Sequence, residues 1–97
     1  MARIEIAAID SAMLGEANAA GDVFFQLGLM YSTGTEVPTD YIAAHKWFNL
    51  AAMRGNADAM RLRRELAESM SDAEIAAAQR AARDWLRSEG GVTRAAA

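Results

Sequence analysis

Laid on itself at an offset of 34 residues, the chain matches Gly21 with Gly55, Ala17 with Ala51, Met13 with Trp47 and Leu14 with Phe48. Self-similarity at this spacing is that of a helix pair, a unit that cannot bury its apolar face alone and does so by stacking on the next copy. The apolar residues agree with that period. Ile6, Ile9, Met13 and Ala17 form one stripe of a first helix ending at Gly21. A second helix is expected from Asp22 to Ser32, with Phe24, Leu27 and Tyr31 on one face, Phe25 and Leu29 on another, and Gly34 closing it in the left-handed conformation. After the loop from Thr33 to Thr39, a third helix is expected from Asp40 to Arg54, capped by Thr39, lined by Tyr41, Ala44, Trp47, Phe48 and Ala51, and stopped by Gly55.

Asn56 caps a fourth helix on Ala59, Leu62, Leu66 and Met70, and Ser71 with Glu74 forms a capping box for a fifth, with Ile75, Ala78, Ala82 and Trp85 inward. Gly90-Gly91 is expected to stop that helix near Ser88 and to leave residues 92–97 as a frayed tail. By the offset, helices one and three are equivalent second helices and helices two and four equivalent first helices, giving about two overlapping units. Such a chain makes a single all-α domain over residues 1–97, built as antiparallel helix pairs in a short right-handed α-solenoid with a capping helix at 71–88.

Leu27-Gly28, Tyr31, Gly34, Val37, Asp40-Tyr41, Ala44, Trp47 and Ala51-Ala52 followed by Gly55 resemble one complete Sel1-like repeat, a relative of the tetratricopeptide repeat. The resemblance covers residues 21–59, and Gly55-Asn56-Ala57-Asp58-Ala59 looks like the opening of a second unit that is cut short. The pattern departs from the family where Glu36 replaces the glycine usual before the loop valine, and where Phe24 and Phe25 replace smaller residues. The resemblance implies a module that binds a protein or peptide on a concave face, at the positions held here by Asp22, Phe25, Leu29 and Ser32. Carried forward by the offset, the same face takes in Asn56, Ala59 and Arg63, of which Arg63 is the useful contact.

Composition narrows the alternatives. Without cysteine the chain has no disulfide, thiolate metal site or cysteine nucleophile. Every apolar run is broken by a charged or amide residue, so no span of the ~20 residues needed to cross a bilayer exists, and a cytoplasmic location is expected. The formal charge is −3, distributed as −4 over residues 1–53 and +1 over 54–97, which disfavours nucleic acid. Arg54, Arg61, Arg63 and Arg64 form the one basic cluster. Arg61 with Glu65 and Arg64 with Glu68 are spaced to pair, no aromatic residue interleaves them for base stacking, and Arg54 and Arg63 are left less committed.

His45, the only histidine, reads as an exposed or rim residue: the spacing supplies no metal motif, and its candidate acidic neighbours are Asp40, five residues back, and Asp22 or Asp58 across a turn. The enzymatic alternative is a small hydrolase or regulatory subunit with His45 and Asp40 in its site. The carboxylate pairs Glu65/Glu68 and Asp72/Glu74 are explained by helix ion pairs and a helix N-terminus, and Ser32-Thr33-Gly34-Thr35 follows a helix and lacks a Gly-Lys pair, so it is no phosphate loop. The expected protein is therefore not an enzyme and uses no cofactor or metal. It holds a partner on a groove marked by Asp22, Phe25, Leu29, Ser32 and Arg63, and so short an array is expected to lean on its cap or to form a homodimer.

Overall fold

A computed structural model describes residues 20–96 of the chain, with side chains as far as Ser88. The described residues are all-helical, with no strand. Residues 20–33 are helical and are called α1; α2 is Tyr41–Met53, α3 is Ala57–Ala67 and α4 is Asp72–Ala96. The first expected helix lies outside the described residues.

The connections follow from local chemistry. At the end of α1, Gly34 adopts φ 75°, and the amides of Gly34 and Thr35 both donate to the carbonyl of Met30, at 2.9 and 3.1 Å. The next free carbonyl, that of Tyr31, accepts from the amide of Asp40 at 2.9 Å, which ties the loop back onto the helix it leaves. The cap of α2 is Asp40 rather than the expected Thr39: Asp40 is extended, and its Oδ1 accepts from the Ala43 amide at 3.0 Å. Thr39 instead lies against Gly34, where an added Cβ would stand 2.5 Å from its Oγ1.

At the far end of α2, Gly55 donates to Ala52 and Asn56 to Ala51, the two bonds of a Schellman turn with Gly55 at φ 93°. Asn56 then caps α3, its Oδ1 accepting from the Ala59 amide at 2.8 Å. One residue thus ends one helix and begins the next. The capping box of α4 is complete, with Glu74 N–H donating to Ser71 Oγ at 3.1 Å and Ser71 N–H donating to Glu74 Oε1 at 2.8 Å.

Two expectations about glycine are corrected. Gly21 is not a turn equivalent to Gly55: it lies within α1, buried, where an added Cβ would come 3.3 Å from Cβ of Arg54. Its small size lets α1 lie close to the α2–α3 turn. Nor does Gly90-Gly91 end the last helix near Ser88, since α4 is helical to Ala96 in place of a frayed tail. Glycine costs only about 1 kcal/mol relative to alanine in a helix, and alanines at 95 and 96 favour continuation.

The core forms around α2, the helix against which both α3 and α4 pack. Ala44, Phe48, Leu50 and Ala51 are buried within it. Neighbouring positions on α1 and α2 serve different partners. Phe24, Trp47 and Trp85 form an aromatic triangle with centroids 5.2–5.9 Å apart, which docks α4 onto the first pair. Phe25 meets Phe48 at 5.9 Å, on the side where α3 approaches. The α1–α2 crossing is close because Gly28 has no side chain: a Cβ there would stand 2.4 Å from Cδ1 of Phe48. Among the described residues, no helix is long and apolar enough to cross a membrane.

Candidate functional site

Two concavities on the described surface bear on the expected site. The first, of about 330 Å³, is bounded by Leu29, Ser32 and Thr33 of α1, Phe48 of α2, and Leu62, Glu65 and Leu66 of α3. It exists because α2 is the shared neighbour of α1 and α3, so those two helices rise on either side of Phe48 as walls over a floor. Its hydroxyls are turned inward to their own helix: Ser32 Oγ and Thr33 Oγ1 both donate to the carbonyl of Leu29, at 3.2 and 2.7 Å. What faces the groove is therefore mainly hydrocarbon, with the Glu65 carboxylate on its rim. The second concavity, about 400 Å³, is polar and lies at the α2–α3 turn, lined by Gly21, Asp22, Arg54, Gly55, Asn56, Ala57 and Asp58.

The five residues expected to bind a partner are separated by this arrangement. Leu29 and Ser32 come together in the apolar groove, and Asp22 lies at the polar one. Phe25 is half-buried against Phe48, and so acts in helix packing. Arg63 is not uncommitted: its Nη1 donates to Oδ1 of Asn49 on α2 at 2.6 Å, a half-buried bond joining the two helices. Ala59, on the same extrapolated face, is fully buried, and Asn56 is spent as a cap. Arg54 places its guanidinium 5.7 Å from the Phe24 ring, and Arg61 pairs with Asp58 at 3.3 Å as well as with Glu65 at 3.6 Å. Phe48, Leu62 and Leu66 were read from the sequence as inward stripes; they also form the floor and one wall of the groove.

His45 overturns its expectation. It is buried, at 4% exposure, and Nδ1 has no hydrogen-bond partner. Burial, and then the guanidinium of Arg63, hold its imidazole below the ordinary value, while the polarity of its own backbone acts the other way. Asp40 is occupied in capping α2 and makes no hydrogen bond to His45. The His45–Asp40 pair of the enzymatic alternative is thus not assembled as an acid–base unit. Among the described residues, no cluster of three or more histidines and carboxylates is arranged to hold a metal ion.

Residues 25–56, about a third of the chain, match the family model described as Sel1 repeat. The chain carries a Sel1-like repeat. The matched stretch runs from Phe25 in α1, through α2, to the Asn56 cap of α3, so the Sel1 unit is the α1–α2 pair with its closing turn. Sel1 repeats generally mediate protein–protein interaction and are typically non-catalytic. Within this one, the family's usual loop glycine is Glu36, which nonetheless takes the left-handed conformation at φ 71°. Comparison with curated proteins and with solved structures gives no match.

Proposed function

We propose that the protein is a non-catalytic adaptor or scaffold that binds an apolar segment of a partner protein in the groove between α1 and α3. The observation that carries this reading is the groove itself. Leu29, Leu62 and Leu66 stand around Phe48 with space between them, in a molecule whose other apolar rings are packed against one another. Open apolar concavities rimmed by polar residues are where partner side chains anchor. The Sel1 repeat supports the same class of function.

The test is a photo-cross-linking amino acid placed at Ser32, with cross-linked partners identified from cells, beside a Leu29→Asp, Leu66→Asp variant. Both leucines are half-buried at the groove, whereas Phe25 is unsuited to the purpose because its replacement would strip the Phe48 contact. Loss of the cross-linked partner from a variant whose circular dichroism remains helical supports the reading. A partner held equally by the folded variant overturns it. Self-association into a dimer is part of the proposal, supported by the exposed apolar side chains of Val23, Met53 and Met60. Light scattering that shows a monomer at high concentration removes that part.

A further inference from the structure

His45 is the one polar side chain that the described core encloses, and its Nδ1 is sealed from solvent with nothing to bond. One turn along the same face of α2, Asn49 accepts the hydrogen bond from Arg63 of α3. The stripe that carries His45 therefore faces a guanidinium across the α2–α3 seam. Among the described residues, Arg63 is the charged group that acts on the ring, and it opposes a proton there.

We propose that His45 makes the α2–α3 seam a proton-sensitive latch: a proton taken up by the buried ring sets a second cation in the seam that already holds Arg63, and α3 is released from α2. A buried cation facing another cation is costly, whereas the neutral ring is tolerated for the price of one unmade hydrogen bond. The response has a defined sign. The folded imidazole is held below its ordinary value of 6.5, so the unfolded chain or the released seam binds the proton more readily than the closed seam does. Stability is complete above that ordinary value and falls as the pH drops below it toward the depressed folded value. Since Phe48 stands on α2 and Leu62 and Leu66 on α3, release of the seam also takes the groove apart. That consequence rests on the function proposed above; the latch itself does not.

The seam is read by amide hydrogen exchange, corrected for intrinsic rates, between about pH 7.5 and pH 5.5 on the intact chain without any partner. In wild type, protection over Ala57–Ala67 falls, by up to about tenfold, while protection in the Ile75–Trp85 part of α4 changes little. In His45→Gln the α3 protection holds level across the same range, and in Arg63→Gln the fall is smaller than in wild type. Equal loss in His45→Gln and wild type, or loss from α3 and α4 together, overturns the latch. Because His45 is the only histidine, its ring resonances give an independent reading should His45→Gln fail to fold. A midpoint below 6.5 that moves upward in Arg63→Gln supports the proposal, and a midpoint at or above 6.5 in wild type overturns it.

Discussion

Gly28 and Glu36 show, with opposite signs, how far one residue can be from the side chain its position asks for. At Gly28 the space is filled: a methyl group would stand 2.4 Å from a ring carbon of Phe48, which is 1% exposed and cannot swing aside. Gly28→Ala gains about 1 kcal/mol of helix propensity. Overpacking a closed core costs about 1–3 kcal/mol, and a ring contact this short belongs at the upper end. The variant should therefore be less stable by roughly 2 kcal/mol, read as a lower urea midpoint at unchanged m-value. Glu36 is exposed and sits at φ 71°, a conformation that costs a side-chain-bearing residue about 1–2 kcal/mol. Glu36→Gly removes that strain and gives back about 0.5–1 kcal/mol in unfolded-chain entropy. The expected result is a gain of up to ~1 kcal/mol, with no comparable gain for Glu36→Ala, because alanine keeps the Cβ that causes the strain.

Among the elements, α4 begins on an exposed first turn whose two cap bonds join Ser71 and Glu74 to each other. Ser71→Ala removes the acceptor for the Glu74 amide and should cost about 1 kcal/mol, whereas Glu74→Gln, which keeps the reach back to the Ser71 amide, should cost less. Thermal melts of the two variants against wild type give the order. That box was legible in the sequence, as were the Gly34 and Gly55 turns and the Asn56 cap, because each needs only a few consecutive residues of the right chemistry. The choice of Asp40 over Thr39 was not: two adjacent residues can both cap, and the register is decided by the Tyr31 carbonyl, which reaches across the loop to the Asp40 amide. The burial of His45 was hidden for a larger reason. A helix is read as having one inward face, and His45 lies beside Ala44 and Trp47 rather than on their stripe. Yet α2 is enclosed by α1, α3 and α4, so a residue off the main stripe still finds a neighbour. The groove was half legible: Phe25 and Leu29 stand out in the sequence as a second face of α1 and the family resemblance adds Ser32, while Phe48, Leu62 and Leu66 read as core, since helical spacing shows that a face is apolar without showing whether the space before it is filled.

At the scale of the molecule, a helix-repeat protein is held up by stacking between units, and about three units are ordinarily needed. The matched Sel1 unit here is one, and α4 packs onto its second helix much as a further repeat would. It does so through Trp85, whose ring meets both Phe24 and Trp47 and covers the side of the pair that α3 leaves open. Each such aromatic pair contributes about 0.5–1.5 kcal/mol beyond its buried area, and truncation of a packed tryptophan costs about 3–5 kcal/mol in total. For a domain of this size that is a large part of the ~5–15 kcal/mol typical of native proteins. Trp85→Ala should accordingly lower the melting temperature by well over ten degrees while leaving the helix content at low temperature near wild type. A chain ended at Met70 loses the whole of α4, exposes Phe24 and Trp47 together, and should fail to unfold cooperatively or should aggregate. If the truncated chain instead melts like wild type, with a sharp transition at the same temperature, then the α1–α3 stack is self-sufficient and α4 serves something other than closure.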